Sequence, residues 1–423
     1  MEREKFTKLL EKEITPALGV TEVGAIALAS SAAYDIVGGT PLKIRMVMNG
    51  GMYKNAFSCG IPGTKELGCE MAALLGVFGA ESGLGLECLK PVTQENADRA
   101  KASGIPVNIS VDEKKDHIFI EAEVTTTEGI GFVRIEDLHD KIVLAAKDDQ
   151  ILFQEEAKPE AGLNETFDFE NVTVAELVEY AQTAPLEDLR PVKKMIEMNT
   201  ALAEKGEKGV GMSIWKTLSA FREKGVVGSD MIYEAQKLTC SAMDARLAGL
   251  PYPAMSIVGS GSHGILCSLP VVSYGRSIGA SEEAVLRAVT LSCLITAFSK
   301  HYTGRLSSLC GCVLGGGSGS ASGIVLLMGG GLKEVEAAMD HVAANLTGMI
   351  CDGGSTGCAL KAYSGVASCF LAAMLSMQGI AIPHNFGVIG STAEQTERNL
   401  GRISDEGMAP MDPTILSIMQ LGK

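Results

Sequence analysis

The sequence predicts an α+β protein: a mainly helical, glycine-rich catalytic domain formed by residues 1–38 and 170–423, with a smaller α/β domain, 39–169, inserted after the first two helices. Three observations carry this. The apolar period is helical up to residue 37, alternates like strands between 41 and 156, and turns helical again from Thr173 almost to the end. Forty-nine glycines against 5% aromatic residues point to an interior of small side chains and closely approaching backbones. Charge is also uneven: the first 200 residues carry 20 basic and 34 acidic side chains, the last 223 only 16 and 17.

The elements follow in order. Residues 4–13 and 20–37 read as helices, separated by "ITPALG", whose Pro16 and Gly19 stop the first. "PLKIRMVMN" (41–49) alternates as a strand. "IPVNISV", "HIFIEAEVTT", "GIGFVRIED", "KIVLAAK" and "QILFQEE" continue the alternation between 105 and 156, and helices near 65–78 and 92–103 lie among these strands. Thr173, with Glu176 three residues later, is a capping box that opens the helical half. Further helices are expected near 185–203, 213–224, 229–247, 281–300, 311–328, 333–348, 357–377, 391–402 and 413–421.

Composition excludes several partners. The net charge of −15, without a Lys/Arg cluster, argues against nucleic acid. Three stretches, 247–275, 306–332 and 362–393, lack Asp, Glu, Lys and Arg altogether. They are broken by Gly, Ser, Pro383 and His384, so buried helices explain them better than membrane spans. The N-terminal stretch is charged and lacks an apolar signal region, so a cytoplasmic protein is expected. Eleven cysteines then belong to a reducing compartment, as buried, catalytic or metal-bound thiols.

Cys310, Cys312, Cys351 and Cys358 stand in glycine-rich blocks that allow a bulky group close approach. From spacing alone two readings stay open, an iron-sulfur or metal site and ordinary buried thiols. Cys59, Cys69, Cys88, Cys240, Cys267, Cys293 and Cys369 are assigned to packing.

Several blocks together resemble one family. "PALGVTEVGAIALA", "MYKNAFSCGIPGT", "DARLAGLPYPAMSIVGSGSHGI", "GRLSSLCG" and "MICDGGSTGCALKAYSG" are similar to segments of the L-cysteine desulfidase group (UPF0597), related to the iron-sulfur L-serine dehydratases. The resemblance runs from about residue 14 to 365. It implies a [4Fe-4S] cluster held by Cys310, Cys351 and Cys358, with Cys312 in reserve, one iron open to substrate, and no pyridoxal phosphate. The reaction it implies is α,β-elimination from a small amino acid, L-cysteine giving pyruvate, ammonia and sulfide, by a homo-oligomer, a dimer.

Beside these blocks, Thr21 and Glu22 open a helix whose N–H groups suit a carboxylate, and Asn49, Lys54 and Asn55 complete a substrate-binding set. Thr21 also reads as a helix cap and Lys54 as a solvated strand lysine. Ser260, Ser262 and His263 form a polar loop able to cradle a carboxylate, or a simple turn. His263 is the candidate base, with Glu22 as the other catalytic group. His301, Arg305 and Lys361 flank the cysteine blocks and are assigned to orienting the cluster or pairing with substrate. One departure matters: Val20 stands where the family pattern has Cys, and valine neither ligates iron nor moves a proton. A serine or other β-substituted substrate, and a catalytically silent cluster-binding sensor, are the alternatives this leaves.

Overall fold

The computed structural model describes residues 2–115, 117–155 and 167–421, and it is an α+β fold with one mixed six-stranded sheet. The chain opens with α1 (Glu2–Glu13), the short β1 (Pro16–Leu18) and α2 (Thr21–Val37). The sheet layer follows: β2 (Pro41–Met48), α3 (Gly50–Ala56), α4 (Gly68–Phe78), α5 (Gln94–Ala102), β3 (Val107–Val111), β4 (Phe119–Thr126), β5 (Gly129–Glu136), β6 (Ile142–Lys147) and β7 (Gln150–Gln154). The strand expected up to residue 156 ends within the described residues at Gln154.

Strand order is β3-β2-β4-β5-β6-β7. Among the described strands only β2 and β3 run parallel, and the crossover that a parallel pair requires carries α3, α4 and α5. The other pairs are antiparallel, and β4 shows the burial alternation of a strand with one face on the core. Helix α2, grouped by sequence pattern with the helical half, packs with α4 and lies along β4, β5 and β6.

The helical half contains α6 (Val174–Thr183), α7 (Arg190–Gly206), α8 (Ile214–Glu223), α9 (Met231–Leu247), the short β8 (Pro253–Met255), α10 (Gly261–Ser277), α11 (Glu282–Thr303), α12 (Gly311–Leu327), α13 (Leu332–Leu346), α14 (Cys358–Met377), α15 (Ala393–Arg402) and α16 (Met411–Leu421). Thr173 caps α6 through the expected box, its side chain and that of Glu176 reciprocating.

At the centre stands α12, packed against α10, α11, α13 and α14. Its glycines explain how. A Cβ on Gly319 would lie 2.3 Å from the carbonyl oxygen of Ser292, and one on Gly323 2.7 Å from that of Ala288. These residues are four apart on both helices, so α11 and α12 meet backbone to backbone along matching rows. Low charge in these stretches is therefore a packing requirement. Among the described residues one helix, α14, is long and apolar enough to cross a membrane, and half of that stretch is buried inside the protein.

Two helices were missed. Residues 50–56 form α3, which makes Lys54 a helical residue rather than a strand lysine. Residues 261–277 form α10, because Ser260 ends the extended segment and "GSGSHG" is the helix start, with Pro270 tolerated inside it.

Candidate active site

Two long-range pairings assemble the site. β1 pairs antiparallel with β8, Pro16 opposite Met255, which brings the start of α2 beside the start of α10. An isolated bridge pairs Leu309 with Ile350. Across it Cys310 N donates to Met349 O at 2.9 Å and Cys351 N to Ser308 O at 2.8 Å, so backbone hydrogen bonds set the two cysteine blocks side by side.

These pairings enclose a cavity of about 90 Å³ between the helical half and the sheet layer. Cys310, Cys312, Cys351 and Cys358 all line it. Cys310 caps the N-terminus of α12 and Cys358 is the first residue of α14, so both thiols sit where a helix start favours negative charge. The Cys310 and Cys312 sulfurs are 3.6 Å apart, and the contact with Cys312 lowers the Cys310 thiol to about 7 against the effect of burial. Burial pushes Cys358 up to about 11 and also raises Cys351.

The opposite wall is polar. Glu22, at the start of α2, accepts a hydrogen bond from Asn55 Nδ2 at 2.8 Å and faces His139 Nε2 at 3.7 Å. Burial alone would raise this carboxyl; His139 and Asn55 more than reverse that and leave it at about 2. Arg246, on α9, donates to Ser262 Oγ at 2.9 Å and to Thr21 Oγ1 at 3.4 Å. His263 and Lys300 are both buried and lie close to Gly311. Burial first, then Lys300, drives the His263 imidazole down to about 3.

Of the substrate-binding residues expected from sequence, Asn55, Ser260, Ser262 and Arg305 line the cavity, as do Glu22 and His263. Arg305 is paired with Glu13 at 2.6 Å. Four others do structural work instead. Thr21 orients Arg246. Asn49 ties α3 to β4 by accepting from Phe119 N at 3.3 Å. Lys54, fully buried, clamps the cysteine block, donating to Cys351 O at 3.0 Å and Asp412 at 2.7 Å. Lys361 donates to Ile350 O and pairs with Asp352. Each ammonium is committed to a carbonyl and a carboxylate of the protein. His301 points elsewhere, toward Glu170 at 3.8 Å.

Three residues that sequence reasoning assigned no role join the site: His139, Arg246 and Lys300. His139 sits in a turn between two strands, and nothing local announces it. Arg246 lay in plain view in "DARLAG". Lys300 did carry a signal, as one lysine closing the uncharged run "AVTLSCLITAFSK".

The donor set suits an iron-sulfur cluster. Four thiols share one cavity, while among the described residues no three His, Cys, Asp or Glu converge as on a single metal ion. A cluster needs no such convergence, since each thiolate takes its own iron. Gly311, Gly353 and Gly354 wall the space, and a Cβ on Gly353 would strike Lys54 O at 2.4 Å.

The thiol-lined, glycine-walled cavity lies where a helical bundle meets a mixed sheet, and the chain is a relative of dehydratases, a class of lyases. The model of the serine dehydratase alpha chain matches residues 83–417, and the chain belongs to that family. It is 40% identical to a UPF0597 protein of Clostridium botulinum strain Hall, over 99% of each chain. It is 37% identical to one from Clostridioides difficile strain 630, over 97% of this chain and 98% of the other, and 35% identical to one from Bacteroides fragilis, over 99% and 98%.

Proposed function

We propose that the chain is a cytoplasmic, homodimeric L-cysteine desulfidase, eliminating sulfide from L-cysteine at the junction of its two proposed domains. The observation that carries this is the placement of Cys310, Cys351 and Cys358 on one cavity with the Glu22–His139 pair. These three thiols are the proposed cluster ligands, with Cys312 behind them. Bound there, a [4Fe-4S] cluster supplies a Lewis-acidic iron for a leaving group that departs poorly by itself.

The chain's own residues handle the proton. On sequence grounds the base was His263, but its ring is flanked by Lys300 and Arg246, which oppose a second positive charge. His139 has the better setting. Its Nε2 faces the Glu22 carboxylate, held in place by Asn55, and this leaves Nδ1 to accept a proton near Gly259. The α C–H bond breaks, its proton passes to His139, and its electron pair forms the Cα=Cβ bond. The Cβ–S pair leaves with sulfur. Glu22 steadies the imidazolium, and the aminoacrylate takes up water to give pyruvate and ammonia. Ser260 and Ser262 offer hydroxyls to the substrate's polar groups, and His263 contributes a neutral imidazole.

Val20 does not remove catalysis on this reading, because the proton acceptor comes from the sheet layer. Its side chain instead packs by Gly354, where an added Cβ would approach Val20 Cγ1 to 3.3 Å. The test is anaerobic purification with iron and acid-labile sulfide assays, then sulfide and pyruvate release from L-cysteine and pyruvate from L-serine. Cysteine should be the faster substrate. Full cluster occupancy with no pyruvate from either amino acid overturns the elimination reading, and faster serine turnover makes the chain a dehydratase.

A further inference from the structure

The site holds a buried ammonium that no carboxylate among the described residues pairs with. Lys300 lies in the last turn of α11 and is 2% exposed, yet among the described residues it makes no hydrogen bond and no ion pair. The neighbouring cations differ. Lys54 has Asp412, Lys361 has Asp352, Arg305 has Glu13, and Arg246 has two hydroxyls and the charge of Glu22. An ammonium taken out of water without an anion costs stability, and a fold keeps one where a ligand supplies the missing charge.

Local packing shows where that ligand goes. Lys300 lines the thiol cavity. A Cβ on Gly311 would fall 2.7 Å from Lys300 Nζ and 2.8 Å from His263 Nε2, so the glycine alone permits both groups to lie against this wall. The C-terminal end of α11 offers Lys300 the negative pole of its dipole, a partial offset that does not use up its donors. Three N–H bonds remain available.

We propose that Lys300 is the anchor for the substrate's α-carboxylate, which makes the site selective for α-amino acids over the corresponding amines. The inference rests on the reading of this cavity as an amino-acid site. An amino-acid zwitterion brings one carboxylate, and Lys300 is the described cation of the cavity with neither an ion pair nor a hydrogen bond. The competing role is a counter-charge for the thiolates of Cys310, Cys312 and Cys351, all of which act electrostatically on Lys300.

Equilibrium binding separates the two without requiring turnover. Anaerobic, cluster-loaded wild type, Lys300→Met and Lys300→Arg are titrated by calorimetry with L-alanine, propionate and ethylamine, which lack a leaving group. Iron, acid-labile sulfide and thermal unfolding are measured on the same samples. Wild type should bind alanine and, more weakly, propionate, and should ignore ethylamine. Lys300→Met should keep its iron and sulfide, unfold at a higher temperature, and bind alanine about 10- to 100-fold more weakly, the scale of a charge-assisted hydrogen bond. Lys300→Arg should retain part of the affinity. Unchanged alanine binding in Lys300→Met overturns the proposal, as does loss of iron in that variant, which would make Lys300 the thiolates' counter-ion. The wild-type arm stands even where a variant does not fold: ethylamine binding as well as alanine also overturns it. A wild type that binds alanine but eliminates nothing leaves the anchor in place and sinks the desulfidase reading.

Discussion

Leu309 and Ile350, far apart in the chain, pair as an isolated antiparallel bridge, and the residue after each is a thiol of the site. The bridge is made by backbone, so the thiols can be altered without disturbing it. Cys351→Ser should therefore keep its helical circular dichroism while losing most of its iron and its brown colour, because a hard hydroxyl replaces a soft ligand. A colourless, zinc-loaded wild type without sulfide would refute cluster ligation.

Lys54 links this block to α16, through Cys351 O and Asp412. Lys54→Met should cost about 1–3 kcal/mol, since it strands a buried carbonyl and the partly exposed Asp412 carboxylate. Urea unfolding measures this. Because the loss is structural, KM for cysteine should stay near the wild-type value in whatever fraction remains folded.

The two histidines make opposite predictions. His139→Ala should lower kcat by about 10²-fold or more, the usual scale for a general base, with partial rescue by added imidazole. His263→Ala should act mainly on KM. Measured rates showing a kcat loss for His263→Ala and none for His139→Ala would return the base to His263.

Val20 is 2% exposed and close in volume to cysteine. Val20→Cys should shift stability by less than about 1.5 kcal/mol and leave sulfide release nearly unchanged. Silent wild type beside an active Val20→Cys would show instead that this chain has set catalysis aside.

Glu397, on α15, is 1% exposed and neither carboxylate oxygen has a hydrogen-bond partner of normal geometry. Burial raises it to about 7. Its folded pKa lies above the unfolded value, so the folded state holds the extra proton between roughly pH 4.5 and 7 and loses stability as pH rises through that window. Glu397→Gln should flatten this slope and be more stable than wild type above pH 7, by roughly 3 kcal/mol at most. Thermal melts from pH 5 to 8 test it, and parallel curves for the two proteins would count against a buried, protonated Glu397.

Much of the fold was legible because it is written in periodicity. The strands from β2 to β7, the capped α6 and the glycine-lined α12 all announce themselves locally. Helix α10 did not, because a start made of Gly and Ser reads as a turn until β8 fixes the segment before it. The cysteines were recoverable from their blocks. Lys54 and Lys361 are ambiguous in sequence for a physical reason: a lysine beside a site looks the same whether it meets substrate or a backbone carbonyl. His139 reaches Glu22 only through the sheet's placement of its turn, which no local pattern encodes.

The pairing of β1 with β8 also bears on how the molecule is made. Residues 16–18 leave the ribosome unpaired, and their partners follow about 240 positions later, which at 5–20 residues per second is roughly 10–50 s of synthesis. Cys358, the last of the proposed ligands, emerges later still. The cavity is thus among the final parts to close during translation, and a cluster held there would be loaded into the nearly finished chain.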